Sequence, residues 1–357
     1  MTRLPPIAAE DREHILRHTA NLWEELAGTR FFITGGTGFF GKWLLESFAA
    51  ANDQLGAQVR ATVLSRNPAR FAAEVPHLAL RPEFDWLIGE TDSFPFPHEK
   101  FDYVIHLATP SAAEISAGDA ALALSVLHGM HRVLEFARQS GIRRLLLSSS
   151  GAVYGRQPAS LSHIPEDYNG APDPGQPLSA YGELKRMAEL MCTLTPEVEC
   201  VITRGFSFVG PYLPLSDKFA AGSFLRDALE DKPVVVRGNG TAQRSYLYAS
   251  DMAIWLLTIL ARGKSWRAYN VGSNEAVSTL QLAQRIALCS PTPLEVKVLE
   301  SKGNSAVDTY LPDISLAHRE LGLRVAIDLD HALKKTFAAL SADPLHATCA
   351  EAEGPSA

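Results

Sequence analysis

Arg30-Phe31-Phe32-Ile33-Thr34-Gly35-Gly36-Thr37-Gly38-Phe39-Phe40-Gly41 is an apolar run that breaks into glycines, and residues 42–51 then follow with helical spacing. A short apolar run reads as a buried strand, and the glycines at 35, 38 and 41 allow a tight turn with close backbone approach. The helix that opens behind them points its unpaired N–H groups at whatever lies in the turn, which suits a pyrophosphate. A glycine turn alone is common; a strand before it and a helix after it make this one a dinucleotide cradle.

Working outward, the same alternation continues. The sequence predicts strands at 59–64, 86–88, 103–107, 144–148 and 200–203, and helices at 120–139 and 180–194. Repeated strand–helix units imply an α/β fold with a doubly wound parallel sheet of Rossmann type. Residues 157–177 carry five prolines and two glycines and read as an ordered loop beside a site. A helix over 11–27 precedes the first strand. From about 208 the elements shorten, which marks a smaller mixed α/β substrate-binding lobe. The expected organisation is a helical extension over 1–29, a Rossmann domain over 30–207, the lobe over 208–340 with some return to the sheet, and a disordered tail over 341–357.

Composition limits the partners. The 357 residues include 33 Lys and Arg against 40 Asp and Glu, a net charge of −7, which disfavours nucleic acid as a partner. No apolar run approaches the ~18 residues of a membrane span, and the start lacks a secretory apolar segment, so a cytoplasmic location is expected. Cys192, Cys200, Cys289 and Cys349 are too few and scattered for a disulfide framework or a zinc site, so reduced thiols and no metal are expected.

Tyr181-Gly182-Glu183-Leu184-Lys185 places a phenol and an ammonium one helical turn apart, on one face. A neighbouring ammonium favours phenolate, so Lys185 is expected to draw the Tyr181 pKa down from ~10 towards neutrality. Upstream, the strand at 144–148 runs into Ser148-Ser149-Ser150-Gly151-Ala152, at the end of a parallel strand where such folds bind ligands. At the end of the next strand after the cradle stands Arg66, where an acid would select NAD. A guanidinium there accommodates a 2′-phosphate and tips the choice of NAD(P) towards NADP.

On these residues the chain resembles the extended short-chain dehydrogenase/reductase superfamily, in its sugar-nucleotide epimerase/dehydratase branch. Further carriers are His106-Leu107-Ala108, Tyr154-Gly155, Gly238-Asn239-Gly240, Arg244 to Asp251 and Tyr269 to Gly272. The resemblance implies that Ser150, Tyr181 and Lys185 are catalytic and that Ser150, Tyr181, Ser207 and Arg244 meet a nucleoside-diphosphate sugar. It also implies cofactor contacts from Gly35, Thr37, Gly38, Phe39, Phe40, Gly41, Arg66, Glu90, Thr91, Leu107 and Ala108 together with Tyr181 and Lys185, and a homodimer formed by the helices beginning at Ala120 and Ala180.

Departures from the family direct the reaction. Dehydratases follow the triad hydroxyl with Asp-Glu, and decarboxylases carry Glu at the second place; here stand Gly151 and Ala152, which exchange no proton. Thr309 occupies a place where relatives often supply a second phosphate-binding arginine. The expectation is therefore an oxidoreductase acting at C4 of the sugar, as 4-epimerase or 4-keto reductase. The alternatives are a dehydratase or decarboxylase with an atypical acid and base, an NADP-dependent reductase of a non-nucleotide ketone, and a dinucleotide-sensing protein without turnover.

Overall fold

The computed structural model describes residues 3–110, 112–115, 120–299 and 307–342. The first six strands are β1 (Arg30–Thr34), β2 (Arg60–Ser65), β3 (Phe84–Ile88), β4 (Tyr103–His106), β5 (Arg144–Ser150) and β6 (Cys200–Gly205). They are followed by β7 (Phe208–Val209), β8 (Val234–Arg237), β9 (Gln243–Arg244), β10 (Leu247–Tyr248), β11 (Ala268–Val271), β12 (Val277–Ser278), β13 (Val296–Leu299) and β14 (Thr309–Tyr310). The main sheet has seven strands in the order β11-β6-β5-β4-β1-β2-β3, and every pairing in it is parallel. The order reverses at β1, so a crevice opens between the carboxyl ends of β1 and β4, where doubly wound sheets bind ligands.

The helices are α1 (Ala9–Leu26), α2 (Phe39–Leu55), α3 (Pro68–Glu74), α4 (Pro76–Ala79), α5 (Ala112–Ile115), α6 (Ala120–Ser140), α7 (Ala180–Thr193), α8 (Ala220–Leu229), α9 (Ala249–Arg262), α10 (Thr279–Ala287), α11 (Ser315–Leu321) and α12 (Leu329–Ser341). The sheet buries both faces, and β1 shows how. Side chains alternate along a strand, so Phe31 and Ile33 join the core that includes residues of α1, α2 and α9, whereas Phe32 joins Phe94, Phe101 and Phe136 opposite, with residues of α6 and α7.

The N-terminal helix belongs to the core. Ile15, Leu16, Leu22, Trp23 and Leu26 are buried, and α1 packs on α9 and α2. Asp11 accepts the Tyr248 hydroxyl at 2.8 Å and pairs with Lys335 at 3.2 Å, while His14 meets Asp251 at 2.9 Å. The shorter strands form small sheets, one of which, ordered β12-β9-β14, sets Tyr310 beside Arg244 in register. β11, drawn from beyond residue 208, completes the main sheet. Of the expected tail, residues from 343 onward, with Cys349, lie outside the described residues. Ser341 closes α12. Cys192 and Cys200 are buried free thiols and Cys289 is half-buried.

Candidate active site

The glycine turn connects β1 to α2. Gly35 takes φ of +71°, and a Cβ there would lie 2.6 Å from the Ala108 amide nitrogen, so only glycine lets the ends of β1 and β4 approach this closely. Leu107 N donates to Thr34 O at 3.1 Å and Ala108 N to Thr34 Oγ1 at 3.2 Å, which fixes that wall of the crevice. A Cβ at Gly41 would meet the backbone of Gly36 at 2.3 Å. Gly38 caps α2 in an extended conformation, with Thr37 before it and Phe39 and Phe40 opening the helix. Phe40 packs edge-on to Phe208 at 4.9 Å and reaches the end of β6. A bare backbone at a helix N-terminus between two strand ends fits the pyrophosphate of a dinucleotide.

At the neighbouring strand ends, Arg66 faces Glu90 at 3.9 Å with its side chain 78% exposed. Thr91 packs against Gly129 of α6. His106 is buried, bonded through Nδ1 to Thr34 Oγ1 at 2.7 Å, and pushed down to about 3 by burial and by nearby Lys185, so it is neutral.

On α7, Tyr181 and Lys185 share a face, with the ammonium 5.8 Å from the centre of the Tyr181 ring. Ser150, at the end of β5, is buried and within hydrogen-bonding reach of the Tyr181 phenol. The three residues expected to be catalytic thus meet beside the glycine turn. Their electrostatics differ from the expectation. Burial raises the Tyr181 pKa above 10, opposed by the bond to Ser150. Lys185 does not pull it down, because Lys185 is only 4% exposed and its own pKa falls to about 7 through burial. Glu189 opposes that fall by favouring the ammonium. The ammonium donates to Ser148 O at 2.6 Å and to Thr109 Oγ1 at 2.8 Å.

A buried network backs the site. Ser149 donates to Glu189 at 2.5 Å, and Arg204 of β6 clasps the same carboxylate at 3.0 and 2.6 Å. Arg204 also donates to the Tyr154 hydroxyl at 2.9 Å. Glu189 lies one turn beyond Lys185, so this ion pair ties α7 to β5 and β6.

Arg244 is placed by β9 and directed at Asp308, whose carboxylate it meets at 2.5 Å. Its guanidinium also lies 5.7 Å from the centre of the Tyr310 ring. Ser207 sits between β6 and β7, and its carbonyl accepts from Leu247 N at 3.0 Å. Two residues at the site were not foreseen. Thr109 lies one position beyond the stretch singled out, His106-Leu107-Ala108. Tyr310 follows Thr309, and no local pattern announces it. Its hydroxyl is within reach of Ser150 and lies 3.5 Å from Gly205 O, and a Cβ at Gly151 would be 2.6 Å from it.

The geometry is that of a nicotinamide-dependent fold, and the family model for the NAD dependent epimerase/dehydratase family matches residues 31–272. The chain belongs to this family, within the extended short-chain dehydrogenase/reductases. UDP-glucuronic acid decarboxylase 1 of Xenopus tropicalis is 28% identical over 312 residues, covering 86% of this chain and 71% of the relative. UDP-glucuronic acid decarboxylase 3 of Arabidopsis thaliana is 28% identical over 309 residues, covering 85% and 86%. Human dTDP-D-glucose 4,6-dehydratase is 24% identical over 286 residues, covering 75% and 77%. Among solved structures, a UDP-glucose 4-epimerase of Thermotoga maritima shares the fold with a TM-score of 0.74 at 20% identity, covering 87% of this chain and 98% of the epimerase.

Proposed function

We propose that this chain oxidises C4 of a nucleoside-diphosphate sugar and uses the resulting ketone to decarboxylate a uronic acid. What carries the reading is that Ser150 joins Tyr181 beside the glycine turn while Gly151 and Ala152 offer no acid or base. Elimination of water from a 4-keto sugar needs a base at C5 and an acid at the leaving hydroxyl, which these residues do not supply. Breaking the C5–C6 bond of a 4-keto uronic acid needs neither, because the ketone receives the electron pair; only the later protonation of C5 needs an acid, and Ala152, where decarboxylases carry Glu, does not supply it. The decarboxylases at 27–28% identity support this alternative over the epimerase or reductase expected from the sequence.

Gly35, Gly38 and Gly41 would hold the cofactor pyrophosphate, and Lys185 the nicotinamide ribose. A nicotinamide held there would supply the reversible hydride acceptor that oxidation at C4 requires. Tyr181 is the group placed to take the proton of the 4-hydroxyl, in the phenolate form that burial makes costly and the Ser150 hydroxyl partly offsets, and Ser150 holds the same oxygen. Arg244 exchanges Asp308 for the substrate diphosphate, a charge-assisted contact of the same kind. We assign NAD, the cofactor named in the description of the family; Arg66 keeps the place at the end of β2 where an acid would select NAD, and it pairs with Glu90 from beyond β3 at 3.9 Å. Exposed Leu124 of α6 and Met187, Leu190 and Leu194 on and beside α7 support a homodimer through these helices.

The test is incubation with UDP-glucuronate, UDP-glucose and dTDP-glucose in the presence of NAD. Carbon dioxide and a UDP-pentose from UDP-glucuronate are expected. A C4 epimer formed without carbon dioxide would establish the simple epimerase instead, for which the bare triad also suffices.

A further inference from the structure

Gly151 directly follows the catalytic hydroxyl, and the space its side chain would fill is already taken. A Cβ there would lie 2.6 Å from the Tyr310 hydroxyl and 2.6 Å from the Phe206 ring. The polar atom beside Ser150 on this side therefore comes from the substrate lobe. Tyr310 is held firmly: its ring packs 4.5 Å from that of Phe206, and the backbone after it is tied down by Leu311 N donating to Gln157 at 2.9 Å and by Ile164 N donating to Leu311 O at 2.8 Å. Its register partner on β9 is Arg244, so one small sheet presents both groups to the site.

We propose that Tyr310 is a second catalytic phenol, which delivers the proton to C5 of the sugar after carbon dioxide has left. This rests on the decarboxylase reading above. Ser150 and Tyr181 hold the oxygen on C4, and C5 is the next carbon along the ring. The proposal places C5 on the Gly151 side of that oxygen, where the Tyr310 hydroxyl lies. In the 4-keto acid the C5–C6 bond breaks, its electron pair moves into the C4–C5 bond, and the C4 oxygen becomes an enolate. The enolate then takes the Tyr310 proton at C5 and reforms the ketone, and the phenolate regains a proton from water. Burial raises the Tyr310 pKa, so the group is protonated when the enolate forms.

The experiment uses the full chain with NAD and UDP-glucuronate in heavy water, comparing wild type with Tyr310→Phe. Wild type should give a UDP-pentose carrying one deuteron at C5 in a single configuration. The variant should still release carbon dioxide but form the pentose about 100-fold more slowly, shedding a 4-keto pentose that borohydride traps, with mixed deuteration at C5. Wild-type-like pentose formation with a single configuration would overturn the assignment. So would loss of carbon dioxide release in a variant that melts like wild type, since the phenol would then act earlier. If removal of the hydroxyl unfolds the chain, difluorotyrosine at 310 keeps the ring and lowers only its pKa. The pH profile of pentose formation should then move to lower pH, and an unmoved profile counts against the proposal. Wild type that releases no carbon dioxide defeats the decarboxylase reading and this one together, whereas carbon dioxide from wild type with an indistinguishable variant defeats Tyr310 alone.

Discussion

In the proposed reaction Tyr181 exchanges the proton on the reacting oxygen, so replacing it should remove chemistry without removing binding. Tyr181→Phe is expected to lower turnover by roughly 10²–10⁴-fold while NAD affinity, followed by quenching of protein fluorescence, stays within about threefold of wild type. Lys185 carries a second prediction, about stability. Its pKa of about 7 in the fold lies below the ordinary 10.5 because burial strips water from the ammonium. Between those values the unfolded chain binds a proton that the folded chain lacks, so stability rises with pH across that window, by roughly 1.4 kcal/mol per unit at most. Below about pH 7 the buried charge exerts its full cost. Lys185→Met abolishes the slope. Its advantage over wild type in denaturant unfolding should therefore shrink from pH 7 to pH 10, and a constant difference would show that Lys185 is not desolvated as described.

At the scale of elements, the turn between β1 and α2 depends on backbones in direct contact. A methyl at Gly41 would meet the Gly36 backbone at 2.3 Å, and no rotamer can relieve a clash with main chain. Gly41→Ala should displace the start of α2, abolish NAD binding by calorimetry and lower the melting temperature. By contrast, a methyl at exposed Gly28 meets no atom within 4 Å, so any cost there comes from its φ of +70° and NAD binding should survive. The turn was legible in the sequence because its residues are contiguous and its glycines answer to local geometry. The short helices α3 and α4 were not, since neither is long enough to show a period.

At the scale of the molecule, α1 is held by the same core as the sheet. Trp23 is buried, packs edge-on to Phe48 of α2 and donates to Thr19 at 2.9 Å. Trp23→Ala should cost about 3–5 kcal/mol, a large share of an ordinary folding stability. The variant should melt several degrees lower, with activity at low temperature preserved, because α1 lies away from the catalytic hydroxyls. A variant that melts like wild type would mean that the helix is dispensable.

By itself the sequence determined the α/β alternation, the glycine turn and the pairing of Tyr181 with Lys185, because each depends on residues a few positions apart and on the periods of helix and strand. The tertiary structure decided what those groups experience. Lys185 was read as a full positive charge acting on a phenol; burial against β5 draws its own pKa down to about 7 instead, and no local spacing reports burial. Tyr310 and Ser150 meet only because a two-residue strand of a separate small sheet folds back over Gly151. Desolvation and long-range approach are properties of the packed chain, and they set the protonation states on which the chemistry turns.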